Sequence, residues 1–123
     1  MKTSLIVGFG GAMGSMARHG VNVAIHRLFG NPVPYATATV NVVGCLVIGV
    51  LTGCLSAGQF SLSDTARTLI FVGVLGGFTT FSSLGLDTLT LTRLGAGTLA
   101  IGNIVAQLGL GLGAVFAGYW LAK

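Results

Sequence analysis

Four apolar runs, at about 4–28, 34–55, 65–91 and 97–122, follow one another with only short polar breaks between them. Crossing a bilayer takes about 20 apolar residues in a helix, and each run meets that length. Only 7% of the chain is charged, where an ordinary soluble domain carries about 25%. Most of its charges, among them Lys2, Arg27, Arg67, Arg93 and Lys123, fall at or near the ends of the runs. The expected architecture is an all-α, multi-pass integral membrane protein of four transmembrane helices, one domain over 1–123. The segment Met1-Lys2-Thr3 leads into Ser4–Gly14 without a small-residue cleavage site, so the first run reads as a span rather than a leader. The basic residues are too scattered to form a phosphate-binding patch, and nucleic acid is not an expected partner.

Glycine fills 21 positions and often recurs at four-residue spacing, as in Gly10/Gly14, Gly49/Gly53, Gly73/Gly77 and Gly109/Gly113. Small residues so spaced let helices pack closely in lipid, leaving little room for a large substrate cavity within one chain. Cys45 and Cys54 fall on opposite sides of one helix and read as small packing residues. Ser61-Leu62-Ser63-Asp64 matches a capping box, with Ser61 as the cap of the third helix. The first span is closed by Arg27 and the turn Gly30-Asn31-Pro32.

Four spans place both termini and the second loop on one side. That side holds Lys2, Arg67 and Lys123, against Arg27 and Arg93 on the other. A fixed orientation normally needs a clear cytoplasmic excess of Lys and Arg. The near-balance leads to an expectation of dual topology and an antiparallel homodimer, which reproduces the inverted repeat of many transporters.

Inside the spans, polar groups are few. The first, second and fourth carry no acid, and Asp87 lies near the end of the third. His19 and His26 have no cysteine or carboxylate partner nearby in sequence and read as interfacial or packed side chains, so no catalytic arrangement stands out. Arg18 sits deep in the first run. It either snorkels to the interface or faces a vestibule where it gathers anions. Asn41 follows Thr37 and Thr39 in the second run, and its amide serves either an anion or a neighbouring helix. Asn103 and Gln107, four apart, share a face of the fourth run under the same two readings.

The third run holds Gly76-Gly77-Phe78-Thr79-Thr80-Phe81-Ser82-Ser83-Leu84-Gly85-Leu86-Asp87. As an unbroken helix it would line Gly76, Thr80, Ser83, Asp87 and Thr90 along one face. Polar and backbone-loosening residues at such depth are tolerated mainly where they line a path or bind something. Paired glycines before paired threonines serve either close packing against a neighbouring helix or a break, and a break frees carbonyls that can coordinate a cation such as sodium.

These features together resemble the Fluc, or CrcB-type, fluoride channel family: Gly10-Gly11 with Arg18, Thr37 with Asn41, Gly76-Gly77-Phe78-Thr79-Thr80-Phe81-Ser82, and Asp87 after it. The resemblance covers essentially the whole chain. It implies passive, selective export of fluoride through two pores of an antiparallel dual-topology homodimer. A structural sodium ion is implied at the dimer centre, held by main-chain carbonyls that fall here on Gly76 and Thr79. By position, Phe81 matches the first of two pore phenylalanines, Ser82 and Ser83 the hydroxyls of the polar track, and Asn41 the pore amide. Two departures stand out. The second pore phenylalanine is Leu84 here, which has no ring edge to offer an anion. Asn103 and Gln107 stand where the family often places tyrosine and serine. Thr37, Thr80, Asn103 and Gln107 are further pore candidates, and Arg18 a vestibule residue. The alternatives are a small multidrug-type proton-coupled antiporter, which depends on an acid in the first span, and a non-transport membrane assembly subunit.

Overall fold

The computed structural model describes residues 1–30 and 33–123, and among these every regular element is helical. Helix α1 spans Lys2–Phe29 and α2 spans Tyr35–Ser56. The third run begins as α3 (Asp64–Arg67), continues as a π-helix over Thr68–Leu75 and a short α4 (Gly76–Phe78), then restarts as α5 (Phe81–Arg93). Helix α6 spans Gly97–Ala122. The turn expected at Gly30-Asn31-Pro32 lies partly outside the described residues.

Three helical segments are both long and apolar enough to cross a membrane: Tyr35–Ser56, Asp64–Arg93 and Gly97–Ala122. Helix α1 has 28 residues, and Arg18, His19, His26 and Arg27 make its second half more polar than the other three segments.

Local chemistry sets the helix ends. Both α2 and α5 finish in a glycine of positive φ, Gly58 at 69° and Gly95 at 79°. After each, an amide reaches back five residues: Gln59 N–H to Cys54 O at 3.1 Å and Ala96 N–H to Leu91 O at 2.8 Å. This Schellman arrangement satisfies carbonyls that the helix end would otherwise orphan. At the start of α3 the cap is Ser63, not Ser61: Ser63 Oγ accepts from Ala66 N–H at 3.2 Å. Ser63 holds the extended backbone of a cap directly before the first helical turn, while Ser61 lies too far upstream to reach an unpaired amide.

The helices pack in pairs through bare backbone. On α1, Gly10 lies against Leu69 O and the Gly73 Cα, and Gly14 against Val74 O and Phe78 N. On α2, Gly49 lies against Val115 O and Gly53 against Tyr119 O, while Gly118 of α6 lies against Leu46 O. Three of the four glycine pairs expected to mediate packing do so. Gly109 and Gly113 do not, since a methyl group at either position meets nothing within 4 Å. Gly111 and Gly118 are the α6 glycines buried against α2.

Replacing Gly49 by Ala sets its Cβ against Val115 O and should push α2 and α6 apart, costing about 1–3 kcal/mol. Gly109→Ala should leave the melting temperature in detergent unchanged or slightly raised, because it only improves helix propensity. Equal melting temperatures for the two variants would contradict this packing.

Gln59 Nε2 donates to Ala122 O at 2.7 Å, tying the loop between α2 and α3 to the C-terminus at one end of the bundle. Large apolar side chains cover much of the outside, including Phe9, Met16, Val105, Leu110 and Phe116.

Candidate functional site at a helix break

The third run breaks at the residues the glycine and threonine pairs marked. Thr79 (φ −79°, ψ 156°) and Thr80 (φ −155°, ψ 121°) are extended between α4 and α5. The expected single polar face is therefore divided. The break after Phe78 interrupts the 3.6-residue period, so Gly76 belongs to a different helical segment from Ser83, Asp87 and Thr90.

Side chains replace the lost helical bonds. Thr80 N–H, which in an unbroken helix would donate to Gly76 O, donates instead to Asn41 Oδ1 at 2.8 Å. Ser83 N–H, which would serve Thr79 O, donates to Thr80 Oγ1 at 3.2 Å as the cap of α5. The carbonyls of Gly76 and Thr79 thus both lose their regular donors. The neighbouring Gly77 O accepts from Ser15 Oγ of α1 at 3.5 Å. Thr79 N–H and Oγ1 both donate to Leu75 O at 3.0 Å, finishing the first half of the helix.

Asn41 joins the break to α6. Its Nδ2 donates to Thr80 O at 3.0 Å and to Gln107 Oε1 at 2.8 Å. Gln107 Nε2 then donates to Asn103 Oδ1 at 2.9 Å. Of the two readings of Asn41, the structure shows the one between helices. The α6 amides likewise bond to each other and to Asn41.

A cavity of about 300 Å³ opens beside this network, lined by Asn41, Thr79, Thr80, Phe81, Leu84 and Gln107, with Cys45 at its wall. Phe81 lines it yet remains 80% exposed, while Leu84 is 6% exposed. Ser82 and Ser83 meet Thr80 Oγ1, each at 3.2 Å, so the three hydroxyls form one cluster at the start of α5. Most of the site residues expected from sequence therefore converge here.

Two do not. Thr37 is buried and lines a second cavity of about 430 Å³, with Asn22, His26, Arg27 and Asp87. Arg18 is half-buried on α1 and lines neither cavity. Sequence reasoning passed over Asn22, whose Oδ1 is buried without a hydrogen-bond partner. An amide inside an apolar run, a few residues from both His19 and His26, was the available signal. It also missed Cys45 as part of a cavity wall, for which residue type gives no signal. Among the described residues no three His, Cys, Asp or Glu side chains gather to hold a metal ion.

The sequence profile described as "CrcB-like protein, Camphor Resistance (CrcB)" matches residues 5–119. A protein of Rhizobium johnstonii named "Fluoride-specific ion channel FluC" is 44% identical over 118 residues, spanning 96% of this chain and 94% of the relative. Proteins of the same name from Rhodospirillum centenum and Caulobacter vibrioides are each 42% identical over 123 residues, spanning 100% of this chain and 97% of the relative. These relatives are ion channels rather than enzymes, and with three membrane-length apolar helical segments the chain is an integral membrane protein. It belongs to the CrcB-like family.

Proposed function

We propose that this protein is a passive, selective fluoride channel that exports fluoride down its electrochemical gradient. The observation that supports it most directly is a cavity edged by the exposed ring of Phe81 at a helix break that the Asn41 amide holds in place. A small anion gives up a strong hydration shell only for substitute donors. Amides, hydroxyls and the positive edges of aromatic rings supply them without a competing positive charge that would trap the ion. Gln107, the hydroxyls of Thr80, Ser82 and Ser83, and the ring of Phe81 are donors of that kind, while Asn41, with both Nδ2 hydrogens held by Thr80 O and Gln107 Oε1, fixes the break beside them. Leu84 supplies an apolar wall at the same cavity, and Arg18 raises the anion concentration at the mouth.

The working unit in this reading has four spans per copy, with α1 as the first. Two copies insert in opposite orientations in the plasma (bacterial inner) membrane and form an antiparallel homodimer. The high exposure of Phe81 within one copy favours this, because a pore-lining ring left open on one side calls for a second wall. A structural sodium ion fits the break in the same reading. The carbonyls of Gly76 and Thr79, both relieved of their helical donors, are hard oxygen ligands of the type that coordinates sodium in unwound membrane helices. When bound, the ion supplies positive charge that holds the broken segments in place, and the pore groups stay with the side chains. The antiporter alternative finds no carboxylate within α1 to carry a proton. The assembly-subunit alternative gives no use to the amide network.

Fluoride efflux from liposomes containing the purified protein tests the reading. Efflux well above that of empty liposomes is expected, and efflux equal to theirs would overturn it. Reporters fused to the C-terminus should show both orientations in cells, and a single orientation would remove the antiparallel dimer.

A further inference from the structure

The glycine contacts join α1 to the third run and α2 to α6. Between these two pairs a groove of about 480 Å³ opens, walled by Thr52 and Ser56 of α2 and by Arg67, Thr68, Phe71 and Val72 of the third run. The groove changes character along its length. Its outer end, where α2 finishes and the third run begins, carries the guanidinium of Arg67 and the hydroxyls of Ser56 and Thr68. About one turn deeper lie Phe71 and Val72, the latter 57% exposed. Thr52 has no free donor at that depth, because its hydroxyl donates to Ile48 O at 2.7 Å. The outer end also has a fixed level in the bilayer. Gly53, on the same turns of α2, lies against Tyr119 O. Tyr119 meets Trp120 edge-on at 5.4 Å, and Lys123 Nζ stands 5.5 Å and 5.0 Å from the two rings. Aromatic rings with a lysine at the end of a span mark the boundary between lipid tails and water. Arg67 therefore sits at headgroup level, with Phe71 and Val72 at the level of the acyl chains.

We propose that this groove binds an anionic phospholipid, with its phosphate on Arg67 and Thr68 and the start of an acyl chain against Phe71 and Val72. A guanidinium offers paired N–H donors that match phosphate oxygens, and a hydroxyl beside it supplies a further donor. Basic pockets between spans are a recognised form of headgroup site. The preference for a net negative lipid follows from the lining. Among the described residues no carboxylate lines the groove, so the ammonium of a zwitterionic headgroup finds no partner there. A soluble anion would use the outer end alone and leave the apolar end empty, whereas a lipid fills both. The groove shares no residue with the cavity at the helix break, and the inference does not depend on which ion that cavity passes.

The test is the melting temperature of the full chain in detergent, titrated with phosphatidylglycerol or with phosphatidylcholine. A ligand held only by the folded protein raises that temperature with its concentration. Phosphatidylglycerol should raise it for wild type at concentrations where phosphatidylcholine does not. Arg67→Gln should need about tenfold more phosphatidylglycerol for the same rise, the effect of one hydrogen-bonded charge. Arg67 is exposed, so this substitution leaves the packing intact. Lys2→Gln removes an equal charge from the start of α1, at the same end of the bundle, and should titrate as wild type. Val72→Trp fills the deeper end and should weaken the response with no change of charge. Equal responses to the two lipids, or an unchanged titration in Arg67→Gln, would overturn the proposal. Equal weakening in Arg67→Gln and Lys2→Gln would do so as well, by showing only diffuse attraction to a charged micelle. The same rise with inorganic phosphate at matching concentrations would assign the groove to a free anion and overturn the lipid.

Discussion

Liposomes carrying Asn41→Leu should release fluoride no faster than empty liposomes, and the variant should also be the least stable of those named here. Asn41 makes three hydrogen bonds, two with the Thr80 backbone and one with Gln107. Leucine preserves the approximate volume and removes all three. Thr80 N–H and Gln107 Oε1 are left without partners, at about 1–3 kcal/mol each. The break in the third run is then no longer tied to α2. Flux and stability should fall together, with the melting temperature in detergent reporting the second. Wild-type flux in a variant that has lost stability would show that the amide only joins helices.

Phe81→Ile should separate these two effects. The ring is 80% exposed in the single chain, so its loss removes little packing within one copy. Its contribution is a positive ring edge at a cavity, which isoleucine lacks. Fluoride flux should drop by more than about tenfold, as expected when a donor worth ~1.5 kcal/mol or more to an anion is removed. Helix content and the elution volume on size exclusion should match wild type. Unaltered flux would remove Phe81 from the anion path, and a change in elution volume would place the ring in assembly instead.

Much of this site was legible in the residues. The apolar runs located the helices to within a few positions, because hydrophobic length in a membrane leaves little choice of element. Gly76-Gly77 and Thr79-Thr80 announced the break, since glycine tolerates it and threonine can repair it with its hydroxyl. Thr80 does so as the cap of α5. The pairing of Asn41 with Gln107, 66 positions apart, was not legible. Periodicity places each amide on a face of its own helix and says nothing about which face it meets. The π-helix of Thr68–Leu75 escaped for a related reason: its widened turn is a feature of the backbone with no distinct composition. Gly109 and Gly113 show the opposite failure, a spacing that suggests contact where the neighbouring helix lies elsewhere.

The two extended residues between α4 and α5 also divide an electrical object. A continuous helix has one macrodipole, equivalent to about half a positive charge at its start and half a negative charge at its end. In the span Asp64–Arg93, Thr79 and Thr80 cut that dipole in two. The negative end of the first piece and the positive end of the second come to lie within two residues of each other. An unbroken helix holds these poles apart, at the two membrane surfaces. Here opposite poles share one depth, where the low dielectric screens neither well. A single short stretch can thereby favour a cation on its carbonyl side and an anion on its amide side. Neither requires a formally charged residue at that depth.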